Sequence, residues 1–334
     1  MDSLFPQNTS EAPLVGIAKL AAEGEALAEG HKVDYISIAN RSVLAKCNSA
    51  RVPFSWMINP YRGCEFACKY CYARYTHEFM ELRDGLDFER KIYVKQHVGW
   101  LLRQELKQVR PGQSIAIGTS TDPYQPAERK FEVTRAILEE LALHEGLSLG
   151  LVTKSNLIVR DLEILQAISR KNRLSIHVTV TTTKTDLARI LEPRAPRPDL
   201  RLKAVQTLVE AGIYASVNCA PVLPGITDSP ADIESVVRAA AQAKARGVHA
   251  HGLFLKPCSE KIFMPFLEEK FPHLVASYKK RYANRAFLPP EYNRRISALV
   301  EKLCEKHKLG KAEAQPRPMM RAKPELQQLR LFAG

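Results

Sequence analysis

Short apolar runs, many of them rich in β-branched residues, alternate with helical patterns through the middle of the chain. Runs of this length are typical of parallel strands that are buried on both faces. The six runs cover residues 56–59, 114–119, 147–153, 174–182, 213–220 and 250–255. About six strand–helix units are too few for a complete eight-stranded barrel. The alternation therefore predicts an α/β fold whose parallel sheet curls toward a barrel, with a doubly wound open sheet as the alternative.

The regions on either side of this alternation have different compositions. Two helical patterns inside the alternating region end on Gly212 and Gly247, which we expect to be C-caps. Residues 18–30 are either a short helix or a loosely ordered stretch, and the end of the chain has the proline-rich, charged composition of a disordered segment. The four predicted segments are an N-terminal arm (residues 1–53), the barrel (54–258), a basic helical extension (259–310) and a flexible tail (311–334).

Three of the seven cysteines, Cys64, Cys68 and Cys71, follow the first apolar run in the spacing C-x3-C-x2-C. Structural zinc sites use four ligands, and the nearest fourth ligand here is His77. A thioredoxin-like pair would use Cys68 and Cys71 and leave Cys64 idle. Three thiolates suit an iron–sulfur cubane with one iron left open, whereas electron-transfer clusters take four. The spacing favours the open cluster and keeps zinc as the alternative.

The charge balance is strongly basic, with a net charge of +13 and a pI near 9.4. This favours a polyanionic partner, most simply nucleic acid, although a solvated basic surface would also account for it. No apolar run approaches the roughly 20 residues that span a bilayer. The N-terminus lacks the basic region of a secretory signal. We therefore expect a cytoplasmic protein with no membrane association and with reduced cysteines.

The run NPYRGCEFACKYCYAR, residues 59–74, places the aromatic Tyr70 between the last two cysteines. It resembles the signature of the radical S-adenosylmethionine (radical SAM) superfamily, and more narrowly that of the spore photoproduct lyase-like branch. Further matching stretches are GTSTDPYQPAER, VTKS, LEPRAPRPDLRLKAVQTLVEAG and APVLPGITD. The resemblance covers roughly residues 54–258. It implies a partial (β/α)6 TIM-type barrel with a helical C-terminal extension, and a [4Fe-4S] cluster held by Cys64, Cys68 and Cys71.

The resemblance also implies the chemistry. S-adenosylmethionine would bind the open iron, and an electron from a donor such as flavodoxin or ferredoxin would cleave it to a 5′-deoxyadenosyl radical that abstracts hydrogen from a substrate. Members usually bind the amine of the cofactor with a Gly-Gly-Glu-like segment after the second strand, where this chain has Ser-Thr-Asp. The predicted cofactor-binding residues are Tyr70, Ser120, Thr121, Asp122, Lys154, Ser155, Arg194 and Asn218, with Arg201 as a further candidate for a carboxylate or phosphate. Ordinary structural roles, such as a buried tyrosine or an Asp-Pro turn, remain open for each.

Two further cysteines are candidate hydrogen donors. The resemblance implies a cysteine near the end of the second strand that returns a hydrogen atom to the product, but this chain has Gly118 and Thr119 there. Cys219 and Cys258 lie at the ends of the fifth and sixth predicted strands and are the predicted catalytic substitutes. A small buried cysteine is the alternative interpretation of each.

The C-terminal part contains two features that point to DNA. Cations and aromatic rings are interleaved between residues 278 and 295, which is the composition of a nucleic-acid surface or of a helical cap with buried rings. The residues are Lys279, Lys280, Arg281, Arg285, Arg294 and Arg295, with Tyr278, Tyr282, Phe287 and Tyr292. The tail ends in QLRLF, which resembles the pentapeptide that docks bacterial repair proteins on the sliding clamp. Its docking residues would be Gln328, Leu329, Leu331 and Phe332.

The sequence thus predicts a radical SAM enzyme with lyase-like activity that abstracts hydrogen from damaged DNA. Within the enzyme class, RNA, a protein or a small molecule is the alternative substrate. A zinc-stabilised nucleic-acid-binding protein without catalysis is the alternative from a different class.

Overall fold

The computed structural model describes residues 14–30, 32–49 and 52–309 of the chain. Within these ranges the strands form a seven-stranded sheet and a four-stranded sheet. The strands are β1 (Ala26–Gly30), β2 (Val33–Ile38), β3 (Leu44–Lys46), β4 (Trp56–Ile58), β5 (Tyr61–Arg62), β6 (Lys91–Lys95), β7 (Ser114–Ile117), β8 (Ser148–Thr153), β9 (Arg173–Thr179), β10 (Tyr214–Val222) and β11 (Val248–Gly252).

The described helices connect or cover these strands. They are α1 (Gly16–Ala22), α2 (Tyr75–Glu78), α3 (Asp87–Arg90), α4 (Val98–Glu105), α5 (Glu128–Phe131), α6 (Val133–Ala142), α7 (Leu162–Lys171), α8 (Thr185–Leu191), α9 (Pro198–Glu210), α10 (Pro230–Gln242), α11 (Pro257–Lys270), α12 (Val275–Tyr282) and α13 (Pro290–Lys306). Short 3₁₀ helices occur at Tyr72–Arg74, Leu106–Gln108, Asn156–Asp161 and Pro272–Leu274. Across the described ranges, no helix is both long and apolar enough to cross a bilayer.

The seven-stranded sheet has the order β11-β10-β9-β8-β7-β4-β3. The six strands from β4 to β11 in this sheet are parallel and follow one another in chain order, while β3 is an antiparallel edge strand. Because the strand order never reverses, the sheet lacks the switch point that a doubly wound sheet has. The structure confirms the α/β fold and the partial barrel of six parallel strands.

The strands differ in burial, although the apolar runs had suggested that all of them are buried on both faces. In β7, Ile115, Ala116 and Ile117 are all buried, so this strand is covered on both faces. In β8 and β9, every second residue is buried beneath the helices while the residues between them are only half-buried. Alternation places these half-buried side chains on the inner face of the barrel. Six strands do not close a barrel, so this inner face stays partly open. Val152, His177 and Ser216 lie side by side on it, from β8 to β10.

The N-terminal region is more structured than its composition indicated. Residues 18–30 contain the end of α1 and the strand β1, rather than one helix or a loose arm. The strands β1, β2, β6 and β5 form the four-stranded sheet, and β3 extends the main sheet. Apolar side chains such as Ile38 and Tyr93 hold this second sheet against α1. The described residues before the barrel, 14–30 and 32–49, therefore belong to the folded body.

One of the two predicted helix ends is correct. Helix α9 ends before Gly212, which has a φ of +80° and donates its N–H to the Val209 carbonyl, as a glycine C-cap does. Helix α10 ends at Gln242 rather than at Gly247, and Lys244 takes the left-handed conformation there, with φ of +58°. The prediction at Gly247 is wrong because this lysine ends the helix earlier.

Candidate functional site

The cysteine segment, residues 63–71, leaves β5 through a turn that only glycine can make. Gly63 has a φ of +85°, and a Cβ there would lie 2.8 Å from the carbonyl oxygens of Phe88 and Lys91. Its own carbonyl oxygen accepts hydrogen bonds from Thr121 Oγ1 at 2.5 Å and Gln125 Nε2 at 3.2 Å. Since residue 121 follows β7, these bonds place the cysteine segment at the carboxyl ends of the parallel strands, where barrel enzymes carry their sites.

Buried charges fasten the rest of the segment. Glu65 accepts a hydrogen bond from the Ala127 N–H at 2.7 Å. Arg74, which is 2% exposed, pairs with Glu89 at 2.7 Å and donates to the Cys68 carbonyl at 3.1 Å. A buried charge without these partners would cost several kcal/mol, so the contacts define one conformation of the segment.

The three thiols lie in largely buried surroundings that contain charges of both signs. Cys64 and Cys68 are buried and Cys71 is half-buried. Burial raises the pKa of all three thiols, and for Cys68 to about 12. The carboxylate of Asp122 raises the pKa of Cys64 further, whereas the Lys154 ammonium lowers that of Cys68. A cationic metal centre among these groups would favour the thiolates, so the donor set fits a metal group.

His77, the fourth zinc ligand considered above, is engaged at Nε2, whereas its buried Nδ1 has no hydrogen-bond partner among the described residues. His77 lies between the rings of Phe88 and Tyr93, and its Nε2 is 3.1 Å from the Lys91 carbonyl oxygen, to which it donates. This nitrogen is therefore not available as the fourth ligand beside the thiols. Over the part of the chain that the structure describes, no three His, Cys, Asp or Glu side chains converge on a position for a single ion.

The Ser-Thr-Asp stretch after β7 is mostly used by the fold. The Thr121 hydroxyl donates to Gly63, as described above. Asp122 accepts hydrogen bonds from the Thr153 hydroxyl at 2.6 Å and from the Lys154 N–H at 2.7 Å. Asp122 thus ties the end of β7 to the end of β8. Ser120 is half-buried, and its hydroxyl makes no hydrogen bond within the described residues, so it remains available for a cofactor.

Lys154 and Ser155, after β8, take different roles. Burial disfavours the Lys154 ammonium, but the neighbouring Cys68, Glu192 and Asp122 outweigh it and raise the lysine pKa. Lys154 is therefore a cation at the barrel mouth, with Nζ 5.8 Å from the centre of the Tyr70 ring. Ser155 caps the 3₁₀ helix that follows, and its Oγ accepts from the Leu157 N–H at 3.2 Å.

Tyr70 is anchored by a buried ion pair. Its hydroxyl donates to Glu192 and lies 3.1 Å from Thr181 Oγ1. Glu192 pairs with Arg201 at 2.5 Å, and both side chains are 1% exposed. Arg201 also donates to the Thr179 carbonyl at 3.1 Å. Arg201 was a candidate for binding a cofactor carboxylate or a phosphate, and the structure corrects this, because its guanidinium is committed inside the core.

Arg194 and Asn218 lie in different places. Arg194 is exposed on the outer side of the cysteine segment, where its N–H donates to the Phe66 carbonyl at 3.3 Å. Asn218 is half-buried on the inner face of β10, in register with Thr179 and His249. Only Asn218 therefore faces the barrel interior.

The two candidate hydrogen donors also differ. Cys219 is 1% exposed and packs in the core on the face of β10 opposite Asn218, a position that does not support contact with a substrate. Cys258 lies in the first turn of α11. The next residue, Ser259, donates its hydroxyl to the Cys71 carbonyl at 2.8 Å, which places Cys258 beside the cysteine segment.

The burial of the C-terminal rings decides between a nucleic-acid surface and a helical cap with buried rings. Tyr278, Tyr282 and Tyr292 are buried, whereas the six cations between residues 279 and 295 are exposed. These tyrosines thus form the inner side of a helical cap and are not available for stacking, and Phe287 alone of the four rings is exposed. The pentapeptide Gln328–Phe332 lies outside the described residues.

Sequence reasoning missed the polar residues that support the site. Gln125 and Glu192 hold the cysteine segment from residues far along the chain, and Arg74 and Glu89 pair beneath it. Arg74, Gln125 and Glu192 all lie inside stretches that carried the resemblance, but nothing in those stretches showed that these residues support the site.

Comparisons with known proteins agree with this geometry. The sequence model of the family described as "Radical SAM superfamily" matches residues 58–251. An uncharacterised protein of Mycobacterium tuberculosis is 35% identical over 282 residues, which cover 83% of this chain and 82% of that protein. An uncharacterised protein of Methanocaldococcus jannaschii is 25% identical, covering 78% of this chain and 93% of that protein.

Solved structures share the fold at low sequence identity. A spore photoproduct lyase variant with bound AdoMet and dinucleoside spore photoproduct has a TM-score of 0.61 at 13% identity, covering 81% of this chain and 79% of that chain. Spore photoproduct lyase complexed with dinucleoside spore photoproduct has a TM-score of 0.62 at 14% identity, covering 82% of this chain and 79% of that chain. These similarities establish a common fold.

Proposed function

Because the chain belongs to the radical SAM superfamily, whose enzymes use a [4Fe-4S] cluster and S-adenosylmethionine, we propose that it is a spore photoproduct lyase-like enzyme that repairs damaged DNA. The observation that carries the proposal is the fastened cysteine segment at the barrel mouth, with Lys154 and Asp122 beside its thiols. Barrel enzymes carry their active sites at the carboxyl ends of the parallel strands, and this donor set lies there.

Cys64, Cys68 and Cys71 would hold the cluster as thiolates, which leaves one iron for S-adenosylmethionine. When bound, the two cofactors supply a radical that abstracts hydrogen. The chain's own residues then have three tasks. Lys154 offers an ammonium to a carboxylate, and Ser120 offers a hydroxyl. The buried contacts of Arg74 and Glu65 keep the segment closed to water.

The substrate would enter along the open inner face of the barrel, where Asn218 and its neighbours present polar groups. DNA is supported by the net charge of +13 and by the exposed cations of the C-terminal helices. The spore photoproduct lyase structures with dinucleoside spore photoproduct add to this support. Cys258 is the proposed hydrogen donor, because Gly118 and Thr119 offer no thiol after β7.

The partners of the reaction follow from the same proposal. The superfamily needs a reductant, which we take to be a flavodoxin or ferredoxin in the cytoplasm. Docking to a sliding clamp through Gln328, Leu329, Leu331 and Phe332 would bring the enzyme to DNA. Deletion of residues 328–332 should abolish clamp pull-down while cofactor cleavage continues. Clamp binding that survives the deletion would refute the peptide assignment.

Anaerobic reconstitution with iron, sulfide and S-adenosylmethionine tests the enzyme class. The wild type should turn brown and form 5′-deoxyadenosine under a strong reductant, and Cys64→Ala should lose both. Cys304→Ala is the matched control, because Cys304 is a half-buried thiol on α13 outside the segment, and it should retain both. Binding of stoichiometric zinc without cofactor cleavage would contradict the proposal.

A product screen on irradiated DNA tests the substrate. The enzyme should bind duplex DNA at low salt, with an affinity that falls steeply as salt rises. Repair of photolesions with 5′-deoxyadenosine formation is the expected result. Cofactor cleavage that is stimulated by RNA, a peptide or a small molecule, and not by DNA, would reassign the substrate.

A further inference from the structure

A row of aromatic rings lies on the rim of the barrel, next to the cysteine segment. It consists of two groups of contacting rings, Tyr75 with Phe79 and Tyr72 with Phe254 and Phe287, and Lys256 lies near both groups. We refer to the five rings as the rim row. Tyr72 follows Cys71 directly, and Phe254 follows β11. The row thus joins the cysteine segment to the last strand of the barrel.

The rings of the rim row are ordered by specific contacts. Phe254 and Phe287 stack with centroids 4.2 Å apart and planes at 16°, and their backbones form an antiparallel bridge. The Tyr72 ring lies 5.8 Å from that of Phe254. Tyr75 and Phe79 meet edge to face at 5.7 Å. Offset and edge contacts of this kind hold rings in fixed orientations.

Three of the five rings of the rim row are exposed, whereas Tyr75 and Phe254 are half-buried. Phe79 is 61% exposed, Phe287 44% and Tyr72 38%. Tyr278, Tyr282 and Tyr292, which are nearby in sequence, are buried. Exposed rings grouped beside a candidate active site, rather than scattered singly, are typical of a binding surface.

One cation lies against these rings, and further cations precede Phe287 in the chain. Lys256 Nζ lies 3.5 Å from the Tyr75 ring centroid and 5.9 Å from that of Phe254. Within the described ranges, Lys256, Lys280, Arg281 and Arg285 form no ion pair with a carboxylate. Other cations of the C-terminal helices do form one, as in the pairs Lys279–Glu268 and Arg294–Glu291.

We propose that the rim row is a stacking platform for unpaired bases of a DNA strand, with Lys256 and Arg285 binding the adjacent phosphates. The combination identifies the occupant: rings stack on bases of any sequence, and unpaired cations attract the phosphates between them. A peptide or a lipid would not explain both features. This inference rests on the proposed function and adds to it. A strand opened at a lesion would be held beside Tyr72, which directly follows the cysteine segment.

Binding of a fluorescent single-stranded oligothymidylate to the anaerobically reconstituted full-length protein tests the platform. Phe287→Ala should weaken binding about tenfold, because one base–ring stack is worth roughly 1–3 kcal/mol. Phe287→Tyr keeps a ring and should bind like the wild type, which separates stacking from loss of the loop fold. Trp100→Ala is the matched control, since Trp100 is an aromatic residue on α4 that is 65% exposed, and it should change nothing.

The salt dependence separates the two kinds of contact. Lys256→Gln should lower the slope of log affinity against log salt by about 0.7, the value for one phosphate of a single strand. Phe287→Ala should weaken binding at every salt concentration without changing the slope. Equal losses for Phe287→Ala and Trp100→Ala, or equal slopes for Lys256→Gln and the wild type, would overturn the platform.

Parallel arms distinguish this inference from the proposed function. If wild-type protein repairs irradiated duplex DNA but Phe287→Ala binds single strands normally, the platform is wrong and the function stands. If Phe287→Ala weakens an RNA strand more than the DNA strand of the same length, the assignment to DNA is wrong. Failure of the wild type to bind either strand overturns the platform, while 5′-deoxyadenosine formation still reports the enzyme class.

Discussion

Removal of only one partner of the buried Glu192–Arg201 pair should strongly destabilise the protein, whereas removal of both partners should not. The Arg201 side chain is 1% exposed in the wild type. Glu192→Ala leaves it with carbonyl oxygens as its remaining partners. It also removes the acceptor of the Tyr70 hydroxyl. Breaking a buried ion pair from one side costs about 3–5 kcal/mol. We therefore expect Glu192→Ala to lose about 4 kcal/mol of folding free energy.

Removal of both charges should be much less harmful. In the double variant Glu192→Leu with Arg201→Met, no uncompensated charge is left in the core, and apolar replacements of buried pairs are often close to neutral. Tyr70 retains Thr181 as a hydrogen-bond partner. The carbonyl oxygens of Thr179 and Pro196 lose a donor, so a cost of about 1–2 kcal/mol remains.

Urea unfolding followed by circular dichroism measures both variants against the wild type at pH 7. Cluster reconstitution supplies a second measurement, because Tyr70 lies between two of the candidate ligands and should lose its position in Glu192→Ala. The reasoning fails if the double variant is as unstable as the single one. It also fails if Glu192→Ala costs less than about 1 kcal/mol.

The pH dependence of the same pair has a defined sign. Burial opposes ionisation of Glu192, but Arg201 and Lys154 outweigh it and hold the carboxyl pKa below its ordinary value. The contribution of the pair to stability is thus present above the unfolded pKa of about 4.3 and is lost as the pH falls further. The difference in stability between the wild type and the double variant should shift in favour of the double variant in acid.

Three further predictions concern residues within the strands or directly after them. Gly118→Cys should cost about 2–4 kcal/mol in urea unfolding, because φ is +85° and a Cβ would lie 2.6 Å from the Val152 carbonyl oxygen, whereas Thr119→Cys should cost under about 1 kcal/mol. Equal costs would contradict the geometry. Burial, with a smaller effect of its histidine neighbour, lowers the His177 pKa to about 4, so stability should decline as the pH falls below about 6.5, and His177→Gln should flatten that decline in acid titrations. Ser155→Ala should lose about 1 kcal/mol through the missing cap, and an unchanged urea midpoint would show that the cap contributes nothing.

The strands could be predicted because their signal is local. The run at residues 147–153 became β8, Ser148–Thr153, and the run at residues 56–59 became β4, Trp56–Ile58. Each apolar run carries its own burial preference, and the consecutive order followed from right-handed connections between parallel neighbours. The end of α10 could not be predicted in this way, because Lys244 took a conformation that favours glycine.

The contacts of the site could not be predicted because they join distant residues. Tyr70 and Glu192 are 122 positions apart, and Glu65 and Ala127 are 62 apart. A sequence shows that Arg201 is charged but not that a carboxylate in the core neutralises it. The same arginine therefore appeared as a candidate ligand, although burial with a partner was the outcome.

The open inner face of the barrel did have a signal in the sequence, in the polar residues that interrupt the apolar runs. Ser175, His177 and Thr179 occupy every second position of β9, and Ser216 and Asn218 continue the pattern on β10. Such polar groups need partners where they are buried, as buried Ser216 has in the Nδ1 of His177 at 2.8 Å. Polar residues at every second position therefore mark the strand face that lines the barrel interior. The polar side chains of β9 and β10 thus line the barrel interior, and the rim row lies at the barrel edge, where Tyr72 and Phe254 meet beside the cysteine segment.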